Sequence, residues 1–180
     1  TVARNAVEPV LQKVRAGEIS AADAIETIRP MIRAMTYMDQ DGKNYIFMST
    51  QEGMTLVQPY ALDQEMKNRL ELQDVNGVFI LKELIKASKA HPEGAFVRYH
   101  YPHFPDNEIQ EKLSYVIGLP EINCYIASGM YIERMLEEQR EIVMKVKYAA
   151  VCLLLAALLP SLVSVIVVVN RNKWLLAEVR

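Results

Sequence analysis

The first apolar positions of the chain recur with a helical period. Ala3, Val7, Val10, Leu11 and Val14 fall on one face and predict a helix over residues 2–15. Gly17 breaks it. Ser20, with Asp23 three residues on, is a capping pair that opens a second helix reaching to about Met38, and Pro30 is expected to bend or split it. The period then shortens. Asp41-Gly42 marks a turn, 44–48 an aromatic and β-branched strand, Glu52-Gly53 another turn, and 54–58 a second strand that Pro59 ends. After an irregular stretch, 77–90 reads as a helix with Val78, Leu81, Leu84 and Ile85 as its buried stripe. Strands are predicted at 95–101, 110–119 and 123–130, and a helix over 131–147. The natural packing is α+β: an antiparallel five-stranded sheet carried on a long N-terminal helix, with a small pocket between one sheet face and the crossing loops.

Residues 148–169 carry no charge at all, and as a helix they reach about 33 Å, the length of one transmembrane span. Lys145 and Lys147 precede the run, and Arg171 and Lys173 follow it. Residues 1–147 hold 17 Lys and Arg against 21 Asp and Glu, a net charge of −4, and residues 170–180 a net charge of +2. An acidic domain offers no electrostatic footprint for nucleic acid, and the basic tail places 170–180 in the cytoplasm. Cys152 lies inside the apolar run, so it cannot pair with Cys124, and a packed core must hold the domain together. The expected division is N-terminal helices over 1–40, a sensing core over 41–130, an exit helix over 131–147, a membrane helix over 148–169 and the start of a cytoplasmic segment over 170–180. A chain that opens on Thr1 is expected to follow a first membrane helix. Ile132, Met135, Ile142 and Val146 fit a 3-4 spacing with Gln139 filling the missing slot, and Ala3, Val7, Val10 and Val14 show the same 4-3-4 pattern. That spacing fits either paired stalk helices in a homodimer or packing of each helix on its own domain.

Seven stretches in order resemble the single Cache domain of the second type, a PAS-like fold. They are Gly17-Glu18-Ile19-Ser20, Asp41 to Phe47, Val57-Gln58-Pro59, Asp74-Val75-Asn76-Gly77, Gly94 to Pro102, Lys112 to Val116, and Ser128 to Glu133. The resemblance implies an extracytoplasmic module of a chemoreceptor or sensor histidine kinase, set between two membrane helices and sensing a small carboxylate such as acetate, lactate or pyruvate. Gln58 stands where such domains usually have His, Tyr101 where Trp is usual, and Arg134 where a second acid is common. The tail has no early proline, unlike the start of a HAMP relay, which leans toward a kinase or cyclase output.

A carboxylate ligand needs a cation and hydrogen-bond donors in a site shielded from water. Lys112 is the cationic candidate and Tyr115 a donor on the same strand, although alternation places the two on opposite faces. Either a bulge reorients one of them, or only one faces the pocket. Tyr99 and Tyr101 share a face of the preceding strand, Tyr45 and Phe47 share a face that suits a pocket floor, and Gln58 is held at the corner before Pro59. His91, His100 and His103 have no ligand spacing for a metal. No nucleophile elbow, phosphate loop or paired-cysteine motif is present, so the fragment is expected to be neither an enzyme nor a cofactor binder. The alternative to a sensor is a structural or dimerising ectodomain with a vestigial pocket.

Overall fold

The computed structural model describes residues 2–39, 42–104 and 107–178, except for the side chains at 39, 43, 133–139, 141, 157, 159, 161–163 and 172–178. The chain forms two compact units, Thr1–Arg134 and Met135–Arg180.

In the first unit, α1 (Val2–Arg15) and α2 (Ala21–Ala34) precede the sheet. The Ser20 hydroxyl accepts the Asp23 backbone N–H at 3.1 Å and so caps α2. Pro30 sits within α2 without ending it. The helix stops at Ala34, short of the expected Met38, because Thr36 to Asp39 pair with the following strand. That pairing adds a strand the periodicity did not announce, and the sheet has six strands, not five. They are β1 (Thr36–Asp39), β2 (Gly42–Thr50), β3 (Thr55–Val57), β4 (Ala95–Pro102), β5 (Ile109–Leu119) and β6 (Cys124–Tyr131). The order is β1-β2-β6-β5-β4, β3 pairs with β2, and every pairing is antiparallel. The remaining helix of this unit, α3 (Ile80–Ala90), begins three residues later than expected.

Alternation divides the sheet into two faces. On one face Met48, Ile117, Leu119, Cys124 and Ile126 pack with Val7 and Leu11 of α1 and Ala24, Ile28 and Ile32 of α2. On the other, Tyr99, Val116, Tyr125 and Ala127 pack with Ile80, Leu81, Leu84 and Ile85 of α3. Of the apolar stripe of α1, Ala3, Val7 and Leu11 are buried within their own unit, and Val10 and Val14 are partly buried against the same cluster. A central strand such as β5 is covered by α1 and α2 on one side and by α3 and an irregular segment on the other.

The described residues of the second unit lie within α4 (Ile132–Glu178), an unbroken helix that follows β6 with no intervening loop. The expected membrane span falls inside α4, and five of its side chains lie outside the described ones. Among the described residues, no helix is long and apolar enough to cross a membrane. The expected turn residue Asp41 and the last two residues of the tail also lie outside the described residues.

Ile28 is fully buried between α2 and the sheet. Ile28→Ala should cost about 2–5 kcal/mol, and Ser20→Ala about 1 kcal/mol, in urea unfolding followed by circular dichroism. A smaller loss for Ile28→Ala than for Ser20→Ala would contradict this packing.

Candidate functional site

Under α3 lies a small cavity, about 30 Å³ open to the centre of a water molecule. Its walls come from β2 (Tyr45, Phe47, Ser49), β3 and the residue after it (Thr55, Gln58), β4 (Tyr99, Tyr101), β5 (Lys112) and β6 (Tyr125). Arg69 and Leu72 reach it from the irregular segment, and Ile80, Leu81 and Leu84 close it from α3. The strand residues meet because their registers align. Lys112 lies opposite Tyr99 on one side and Tyr131 on the other, and Ser49 lies opposite Tyr125.

Lys112 is the central feature. It is 2 % exposed in the middle of the sheet. Its Nζ donates to the Tyr45 hydroxyl at 3.2 Å and stands 4.6 to 5.9 Å from the ring centres of Tyr45, Phe47, Tyr101 and Tyr131. Among the described residues no carboxylate lies within ion-pair distance of it. Gly129 provides room for its stem, since a Cβ there would lie 2.8 Å from Lys112 Cε and 2.4 Å from Ser114 Oγ. Burial pulls the amine down from 10.5 to about 8, while Tyr101 acts weakly the other way.

Around the lysine runs a chain of hydrogen bonds. Gln58 Nε2 donates to the hydroxyls of Tyr45 at 3.2 Å and Tyr101 at 3.4 Å, and Arg69 Nη1 donates to Tyr101 at 3.4 Å. Gln58 is fixed in turn, its backbone N–H donating to Glu65 Oε1 at 2.8 Å. Burial pushes the Tyr45 phenol up to about 12, against the lowering effects of the Gln58 hydrogen bond and the Arg69 charge. Burial also raises Tyr99 and Tyr125. These hydroxyls therefore remain protonated donors at neutral pH. The Tyr125 hydroxyl makes no well-formed hydrogen bond among the described residues, although Ser49 is near enough to oppose its rise. Among the described residues the lining thus holds two cations, several phenols and no acidic residue. This arrangement can hold a small anion. It lacks a carboxylate or imidazole that could act as a base on one.

Six of the seven residues singled out in the sequence lie together here: Lys112, Tyr99, Tyr101, Gln58, Tyr45 and Phe47. Within the six, Tyr99 contributes its ring, since its hydroxyl is engaged with Ser114 at 2.7 Å. Tyr115 is elsewhere. The β5 registers with β4 and β6 run without a bulge, so Tyr115 faces away from Lys112. Its hydroxyl donates to the Glu93 carbonyl at 3.3 Å, and its ring packs on Phe96. Alternation along β2 and β6 could have added Ser49 and Tyr125 to the sequence reading. Arg69 gave no such signal, because its segment has no period. It is positioned by backbone pairing with the β2–β3 turn, its N–H donating to the Gly53 carbonyl at 2.9 Å.

The family model described as Single Cache domain 2 matches residues 1–145. The chain is 24 % identical over 132 residues to the sensor histidine kinase MctS of Rhizobium johnstonii, covering 73 % of this chain and 27 % of that protein. It therefore spans about a quarter of the length of that curated relative. Among solved structures it is similar to the periplasmic sensor domain of a chemotaxis protein, with a TM-score of 0.64 and 24 % identity, covering 73 % of this chain and 88 % of that one. It is also similar to a Cache chemosensory domain described in terms of carboxylic acid recognition, with a TM-score of 0.65 and 19 % identity, covering 73 % and 86 %. At these identities the structural likeness establishes the fold.

The lowered amine pKa carries a stability signature. Below pH 8 the lysine is protonated both folded and unfolded, and the full cost of burying the charge is present. Between about 8 and 10.5 the folded form loses its proton while the unfolded chain keeps it, so stability rises with pH, and above that window the gain is complete. The ligand-free protein should gain about 3 kcal/mol across this window relative to Lys112→Met. Parallel pH profiles of the two proteins would refute the assignment.

Proposed function

The chain belongs to the single Cache domain 2 family, a family of ligand-sensing modules, and on that premise we propose that it is the extracytoplasmic sensor of a membrane receptor for a short-chain carboxylate. The observation that carries the reading is Lys112: a buried cation with no acidic partner among the described residues, in a cavity ringed by protonated phenols. An anion placed there would supply the missing countercharge in a medium where charge–charge attraction is strong. The cavity size favours a molecule of only a few heavy atoms.

The signal would leave through β6. Tyr131, the last residue of that strand, has its ring 4.9 Å from Lys112 Nζ, its hydroxyl donates to the Pro102 carbonyl at 2.7 Å, and α4 begins at the next residue. An anion that draws the ammonium off the Tyr131 ring would displace the end of β6, and shifts of about 1–2 Å are typical of helix-borne signals. The uncharged stretch 148–169 within α4 is read as the membrane span, with 170–180 cytoplasmic. Pro160, inside that stretch, cannot donate a backbone hydrogen bond and gives the helix a point at which to bend. Exposed Ile142 and Val146 offer the beginning of a pairing face for a second copy. The likeness to a sensor histidine kinase supports a kinase as the output.

The test is calorimetric titration of the full chain in lipid nanodiscs with acetate, propionate and glycolate, backed by thermal shift. Acid at 100 times its dissociation constant should add about 2.7 kcal/mol of stability, and Lys112→Met should abolish both signals. Binding that survives Lys112→Met unchanged would sink the reading.

A further inference from the structure

Arginines in this fold keep company with acids. Among the described side chains of residues 2–104, Arg4 and Arg15 each reach Glu8 and Glu121, Arg29 reaches Glu26, Arg33 reaches Glu65, and Arg98 reaches Glu111. Arg69 alone in that set has no carboxylate partner. Its guanidinium points into the cavity, donates to the Tyr101 hydroxyl, and acts electrostatically on the hydroxyls of Tyr45 and Tyr125. Among the described residues the Tyr125 hydroxyl is one of five buried side-chain atoms with no well-formed hydrogen bond, and of those five only it belongs to a residue of the cavity lining. The polar arc therefore has a cation at each end, Lys112 beside Tyr45 and Arg69 beside Tyr101, with Gln58 bridging the two phenols. One carboxylate group can satisfy the Lys112 end. Arg69 offers a planar set of donors, suited to an oxygen acceptor, at the other end.

We propose that Arg69 sets the specificity of the site: it grips a second oxygen-bearing group on a ligand whose carboxylate lies at Lys112, so that short acids carrying a further oxygen are preferred over aliphatic acids of the same size. This rests on the carboxylate reading of the cavity given above. Physical chemistry supports the direction of the preference. A site built with a buried donor rejects a ligand that leaves it unmatched, whereas an apolar wall discriminates weakly between molecules of similar volume. The small cavity strengthens the effect, because it leaves little room for a water to stand in for the missing oxygen.

Glycolate and propionate provide the comparison, since a hydroxyl in one replaces a methyl of similar size in the other. Both are titrated by calorimetry into the full chain in nanodiscs, and into Arg69→Met and Arg69→Lys. In the unaltered chain glycolate should bind about tenfold or more tightly than propionate. Arg69→Met should erase that ratio by weakening glycolate while leaving propionate within about twofold, and Arg69→Lys should restore part of it. Equal affinities in the unaltered chain overturn the proposal without needing any variant. Equal weakening of both acids in Arg69→Met also overturns it, since Arg69 would then supply only a general positive field. If acids bind through Lys112 but without preference, this proposal fails and the carboxylate reading stands. If neither acid binds the unaltered chain, both fail together.

Discussion

A lysine in the middle of a covered sheet is the constraint around which the rest of this domain is arranged. Lysine usually lies along an apolar surface with its ammonium in water. Lys112 cannot, because β4 and β6 flank its strand and α3 closes the space above. Three things can relieve a charge so placed: donors and aromatic faces that partly replace water, loss of the proton, or an anion. The structure supplies the first through the Tyr45 hydroxyl and the neighbouring rings, a desolvated cation–ring contact being worth about 2 kcal/mol. The second is visible in the lowered amine pKa. The third is what the proposed ligand would supply, and that unmet need is the reason for reading the cavity as a site.

The two faces of the sheet divide the work. The face toward α1 and α2 is apolar throughout its centre, and its packing fixes the strand registers. Those registers place Tyr45, Tyr99, Tyr101 and Lys112 within hydrogen-bonding distance of their partners. The opposite face can then carry buried polar groups that would otherwise disorganise a core, because the first core has already specified the geometry. Gly129 belongs to this arrangement. A side chain there would meet Lys112 and Ser114, so the groove in which the lysine stem lies exists only because β6 has no Cβ at that point.

Most of this was legible in the sequence, for reasons that also explain the rest. Period-2 alternation is strong in β2, β4, β5 and β6, and it placed Tyr45 with Phe47 and Tyr99 with Tyr101 on common faces, as the structure does. The same rule separated Lys112 from Tyr115, and the bulge-free register of β5 sends only Lys112 to the cavity. Two features had no local pattern to reveal them. Thr36 to Asp39 follow a helix directly and are too short to display a period, so they read as its continuation until β2 is there to pair with them. Arg69 sits in an irregular segment whose placement depends on backbone contacts with a turn distant from it in the sequence, and no local pattern encodes such a contact.

At the proposed site the buried amine would also tie ligand binding to proton binding, with the following consequences. An anion beside Lys112 favours the charged form of the amine, so it must raise a pKa that burial has lowered. By linkage the reverse holds: protonation strengthens anion binding by the same free energy. At pH well below 8 the amine is already charged and the ligand finds its partner ready. At higher pH it must recruit a proton as it binds, and affinity falls. A ligand can shift a conformational balance only by its difference in affinity between the two states. If the ammonium position differs between those states, the difference resides largely in the Lys112–anion contact. The group that makes the domain costly to fold without ligand is then also the group through which ligand energy reaches Tyr131 and the head of α4.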